Sequence, residues 1–285
     1  MKDELNDLTA KGFFGEESRQ LLEKQSTESL PQSLYSSVVS IYSSSSNVKE
    51  LNNYTEVFSK LFKEAAMKTD PNTVYELIGA LVNGTKKYPE LENKVAYTRF
   101  MEENQILKNG IRKGDKTDTG RLSLGSRVLT TYVSGFELSM KIFTFIYAMM
   151  LEMNQQEYDL LEISSLSTSQ KLNGCRQLDQ KSDYILLTEG WNDILRNAEN
   201  HGDMRFDLGK GLFTGQNRHS YRVHGKKIVK VDPITISPEE MMGVILPKVA
   251  CFIQGYISAG NLLSLSMSDE LLFEQAKRFI IRKTN

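Results

Sequence analysis

The chain has 285 residues, 40% of them apolar and 25% charged, enough to bury one large core or two modest ones. Thirty-five Lys and Arg offset 36 Asp and Glu, a formal charge of −1 that excludes any global attraction to nucleic acid or membrane, so such affinity must come from a local patch. Two cysteines, Cys175 and Cys251, exclude a disulfide framework and a cysteine-built zinc site, and they suit a reducing compartment.

The opening Met-Lys-Asp-Glu-Leu has no apolar run behind it and does not read as a signal peptide. The most apolar stretch, Ile142 to Leu151, is half of the roughly 20 residues a membrane span needs. The expectation is a cytoplasmic protein with no membrane partner. Residues 34–46 are serine-rich but carry Leu34, Val38, Val39, Ile41 and Tyr42, too apolar for a disordered tract. Asp70-Pro71 predicts the start of a helix through Leu81 that stops near Gly84. Pro89-Glu-Leu-Glu predicts another, ending before Gly110. Gly110, Gly114, Gly120 and Gly125 then punctuate a basic stretch with few apolar residues, which reads as a linker or mobile loop.

Leu129 to Met153 predicts a helix apolar on most sides, from Phe136 to Met150, and therefore either a central core helix or one covered again by a second copy. Tyr184 to His201 predicts a further helix with Leu186, Leu187, Trp191, Ile194, Leu195 and Ala198 inward and Gly202 as terminator. Met204 to Phe213 and Ser220 to Val231 predict one hairpin with its turn at Gly225. Ser237-Pro-Glu-Glu has the pattern of a capping box with Pro at the first helical position, opening a helix that Pro247 should kink without ending. The predicted fold class is all-α with one small β-hairpin insertion. The predicted division is a helical N-terminal region, 1–115, and a second helical domain, 120–285.

The chain lacks a phosphate loop ending in Gly-Lys-Ser/Thr, a Gly-x-Ser-x-Gly elbow and a His-Glu-x-x-His pair. Its informative string is Ile194-Leu-Arg-Asn-Ala-Glu-Asn-His-Gly202. On a helix Asn197 and His201, four apart, share a face, so the amide can orient the imidazole. Arg196 lies roughly 140° round the axis but is long enough to reach the same rim. A histidine in a last helical turn is favoured as imidazolium. A tunable imidazole beside a guanidinium suits phosphodiester chemistry, one moving the proton and the other holding the oxygens as charge builds. The same pair also fits simple C-capping of a helix.

Directly downstream, Arg205, Lys210, Arg218, Arg222, Lys226, Lys227 and Lys230 face one acid, Asp207, a local excess of +6 (7 − 1). Phe206, Phe213 and Tyr221 lie among them, and cations with aromatics suit single-stranded RNA. A solvated face is the plainer reading of such a run.

The string Leu195-Arg-Asn-Ala-Glu-Asn-His-Gly resembles the Arg-Asn-x-x-x-His signature of HEPN-domain proteins, including the polar residue after the Arg and the Gly after the His. The resemblance spans roughly residues 120–265. It implies a four- to five-helix bundle that dimerises so that two motifs share one composite site. It also implies a metal-independent ribonuclease of toxin–antitoxin, abortive-infection or other defence systems, needing no cofactor. Carried over by position, Arg196 and His201 become catalytic and Asn197 supporting, with Glu137 a weaker candidate on the upstream helix. The expected reaction is attack by the ribose 2′-hydroxyl, leaving a 2′,3′-cyclic phosphate and a 5′-hydroxyl. RNA, a second copy and an antitoxin or defence partner are the partners implied. The alternative is a non-catalytic HEPN-like module that binds RNA, nucleotide or a partner protein. The hairpin insertion and the N-terminal 110 residues depart from the family pattern.

Overall fold

A computed structural model describes residues 29–191, 195, 204–223 and 226–284. The chain is mostly helical, with a small three-stranded antiparallel sheet. Helix α1, Leu30–Ser44, starts where the Ser29 hydroxyl accepts the Gln32 N–H, and it buries Val38, Ile41 and Tyr42. The serine-rich stretch is thus a core helix, because its apolar residues recur at helical spacing. Helix α2, Val48–Lys68, buries Leu51, Tyr54, Phe58, Leu61, Phe62 and Ala65 along one stripe. Helix α3, Pro71–Asn83, begins at Asp70 and stops at Gly84, as its cap residues predict.

Four expectations need correction. Pro89–Leu91 forms only a 3₁₀ turn, and helix α4 starts afresh at Lys94–Lys113, running past Gly110 to a left-handed Gly114. The expected linker is confined to a few residues, since helix α5 occupies Asp118–Met153. The Thr117 hydroxyl accepts the Gly120 N–H at 3.0 Å to start α5. Gly125 lies inside α5 because a side chain there would collide with Phe206. Its glycine answers close packing, not chain flexibility.

The predicted Tyr184–His201 helix is interrupted. After α6 (Leu160–Ser165) and α7 (Thr168–Leu178), α8 is only Ile185–Thr188, and Gly190 turns the chain at φ +68°. Leu187 and Leu195 are buried and Leu186 and Trp191 partly so, while Ile194, Ala198 and Gly202 lie outside the described residues. The expected single hairpin is a three-stranded meander: β1 Arg205–Asp207, β2 Leu212–Val223 and β3 Lys226–Ile236, in that spatial order. Strand β3 at the edge accommodates Pro233, which has no N–H to contribute.

Helix α9 spans Pro238–Ser268, with the Ser237 hydroxyl accepting the Glu240 N–H at 3.1 Å. Over Met241–Ile245 it runs in π geometry, and the Leu246 N–H bonds to the Met241 carbonyl just before Pro247. The helix therefore absorbs Pro247 with a wider turn and continues. By length and composition α9 could cross a membrane, but 56% of that apolar window is buried inside the fold. Helix α10, Glu270–Thr284, closes the chain.

The core is one cluster drawing on both the 29–115 and the 120–284 segments. At its centre Phe252 of α9 stacks on Phe143 of α5 at 5.1 Å and meets Tyr54 and Phe58 of α2 edge-on. The apolar surplus of α5 is used here: Phe136, Leu138, Ile142, Phe143, Phe145, Ile146 and Met149 are all buried within the single chain. Of the two readings of that helix, the central core helix holds. Its composition calls for no second copy.

Candidate active site and nucleic-acid interface

Arg196, Asn197 and His201 lie outside the described residues, as does His224. Their flanks are described. On the N-terminal side, the Trp191 indole sits 5.6 Å from the rings of Phe136 and Phe143 on α5 and 4.9 Å from Phe252 on α9. Its Nε1–H donates to the Leu187 carbonyl at 2.7 Å. Leu195, next to Arg196, is buried. On the C-terminal side Met204 is buried too. The string is therefore flanked at both ends by residues embedded in the core.

The sheet rests on α5 through β1, where Phe206 packs against Gly125 and its ring lies 5.2 Å from that of Phe213. Phe213 and Ile236 are buried, so the face carrying 206, 213 and 236 is the inner one. Neither Phe206 nor Phe213 is free to stack on a base, contrary to the expectation of interleaved aromatics. Beyond Thr214, β2 and β3 continue as a two-stranded ribbon to the Val223–Lys226 pair.

Register sorts the cations, because successive strand residues alternate between faces. Arg205 pairs with Thr214, opposite Thr235, on the outer face; Arg218 (opposite Val231) and Arg222 (opposite Lys227) follow it at even positions. Positions 205, 218, 222 and 227 thus share the outer face. Lys226 (opposite Val223) and Lys230 (opposite His219) belong to the inner side of the ribbon, with Tyr221 opposite Ile228. Lys230 is already ion-paired with Asp232 at 3.0 Å. Lys210 is exposed in the β1–β2 turn, its N–H donating to Asp207 at 3.0 Å. Register thus divides the seven positions between the two faces and the β1–β2 turn. Four of those positions share one face of the sheet, one on β1 and three on the ribbon, an arrangement suited to a polyanion.

Glu137 is exposed and lines a cleft of about 560 Å³ between α4 and α5 with Arg99 and Lys141. Another cleft, of about 750 Å³, lies at the far end of α5. Two of its carboxylates are engaged by neighbours: Glu152 accepts from Tyr158 at 3.0 Å and Glu76 accepts the Lys86 N–H at 2.6 Å. Asp159, at the same end, accepts from Tyr88, and this bond with the helix-start N–H groups of Leu161 and Glu162 holds its carboxyl below the usual range. Among the described residues no cluster of three His, Cys, Asp or Glu could hold a metal.

One buried charge escaped the sequence reading. Lys171 on α7 is almost fully buried and donates to the Met140 carbonyl, the Thr144 hydroxyl and the Ser164 carbonyl at 3.3, 3.0 and 3.1 Å. Burial pushes its pKa down to about 8. A lysine inside a polar helix segment carries no sequence signal of this; only the packing of α6 and α7 on α5 reveals it.

Comparison of the chain with models of protein families, with curated proteins and with solved structures finds no match.

Proposed function

We propose that the protein is a HEPN-type, metal-independent endoribonuclease acting in the cytoplasm in antiviral defence or a toxin–antitoxin system. The observation that carries the reading is the Arg196-Asn197-x-x-x-His201 string, flanked by the buried Leu195 and Met204 and followed at once by a sheet with four cationic positions on its outer face. In this reading His201 takes the proton of the ribose 2′-hydroxyl or protonates the leaving 5′-oxygen, and Arg196 offsets charge on the phosphorane. Asn197 holds the imidazole, as a preorganised site requires.

RNA would approach along positions 205, 218, 222 and 227, with Lys210 at the rim. Lys226 and Lys230 are assigned a different duty. Lysines and a proline on an edge strand discourage pairing with another chain, and β3 carries Lys226, Lys230 and Pro233. The composite site calls for a homodimer, which must use a face other than the apolar side of α5.

The test is incubation of purified protein with RNA, with and without EDTA, followed by analysis of product ends. The expected products are 2′,3′-cyclic phosphate and 5′-hydroxyl termini at undiminished rate in EDTA. Binding without cleavage would favour the non-catalytic module; neither binding nor cleavage would sink both.

A further inference from the structure

Between α4 and α9, bordered by Ser45 and Ser46 of the α1–α2 turn, lies a partly open cavity of about 120 Å³. Three features set it apart from an ordinary packing gap. The first is a pair of buried amides. Asn104 is 9% exposed and Gln254 5%, both line the cavity, and neither side chain has a hydrogen-bond partner among the described residues. Neither amide is among the sealed polar groups of the fold, so both can bond to whatever occupies the cavity.

The second is charge. Lys108 is the only ionisable amine or carboxyl among the lining residues, and no Asp or Glu joins it. Its Nζ makes one bond, to the Ser44 carbonyl at 3.3 Å, which leaves two hydrogens to donate. Burial and the nearby Arg112 lower its pKa, as expected of a cation short of compensation. The third is the wall itself. The π turn of α9 brings Met242, Leu246 and Pro247 to the cavity, opposite Leu107 of α4. Such turns concentrate at ligand sites.

The volume is slightly below the roughly 150 Å³ of a cavity that holds benzene, which admits about six non-hydrogen atoms. One cation, two amides whose NH2 groups can donate and no carboxylate at one part of the lining, with apolar side chains at the other, suit an anion with a short hydrocarbon body. We propose that this cavity binds a small aliphatic carboxylate, its oxygens held by Lys108, Asn104 and Gln254 and its chain by Leu107, Met242 and Leu246.

Isothermal titration of the full chain with sodium butyrate, butyramide and sodium phosphate at constant ionic strength tests this. Butyrate should bind saturably, one per chain. Butyramide should bind about tenfold more weakly, since it forfeits the charge-assisted bonds. Phosphate should not displace butyrate, having no apolar body for the walls. Lys108→Gln should bring butyrate down to the level of butyramide, and Ala250→Leu, which fills the cavity, should remove both. The wild-type preference is decisive even if Ala250→Leu fails to fold. No saturable butyrate binding, equal binding of butyrate and butyramide, displacement by phosphate, or undiminished butyrate binding by Lys108→Gln would each overturn the proposal.

Discussion

Phe252 and the β2–β3 ribbon show two opposite uses of side chains. Around Phe252, rings from α2, α5, α9 and the Trp191 segment meet at 4.9 to 5.7 Å, and these residues are buried or nearly so. Along the ribbon, strand pairs with strand, and Ile228, Val229 and Val231 stay exposed beside the cations. Burial of apolar area stabilises a fold, whereas solvated charges contribute little to it. Stability and the proposed polyanion binding are therefore separable, and substitutions in one region should leave the other property intact.

The sharpest break of that separation is Phe252→Ala. It empties the contact point of the aromatic cluster and should cost about 3–5 kcal/mol of unfolding free energy, measured by urea denaturation. A cost near zero would show that the cluster is not the keystone of the fold. Gly125→Val attacks the contact of β1 with α5, where the sheet rests on the body. Forcing a branched side chain against Phe206 should cost about 1–3 kcal/mol. Amide exchange should quicken first in β1, and protection unchanged there would separate the sheet from α5.

Lys171 tests the body through pH. Its pKa is lowered to about 8 in the fold from an ordinary 10.5. Below pH 8 both states hold the proton; between pH 8 and 10.5 only the unfolded chain does, so unfolding takes up a proton and stability rises with pH across that window. Wild type should gain stability relative to Lys171→Met when both are unfolded at pH 8 and again at pH 10. Parallel pH profiles would mean that the buried ammonium is not desolvated.

The smallest effect on stability belongs to the ribbon. Replacing Arg218, Arg222 and Lys227 by Gln should leave the melting temperature within error. It should flatten the log–log salt dependence of RNA binding by about two, at roughly 0.7 per lost phosphate contact. Replacing Lys226 and Lys230 should change that slope far less. Equal effects from the two sets would erase the distinction between the faces.

What could be read from the sequence was whatever is settled locally. Asp70-Pro71, Ser237-Pro238 and the apolar spacing of residues 34–46 carry their own caps and periodicity, and the helices begin where those signals fall. Gly120 and Gly125 looked like loop residues because their reason lies elsewhere, in the Asp115 carboxylate that a side chain at 120 would meet and in the Phe206 ring more than 80 residues from Gly125 in sequence. Gly190 was hidden inside a helical apolar pattern that continues on both sides of the turn. The basic run from Arg205 to Lys230 was legible as charge but not as two faces, since register depends on which residues pair across β2 and β3. The lining of the cavity at Gln254 could not be read at all, because an amide on a helix gives no sign of being buried without a partner.

The account rests most heavily on dividing labour between the Arg196–His201 string and the ribbon. Cleavage of a short RNA under single-turnover conditions, at saturating protein, measures that division directly. The account predicts that His201→Ala and Arg196→Ala abolish cleavage yet bind RNA and melt like wild type. The ribbon variant lacking Arg218, Arg222 and Lys227 should need more protein to saturate but then cleave at the wild-type rate. Full cleavage by His201→Ala, or a ribbon variant inactive even at saturation, would contradict it.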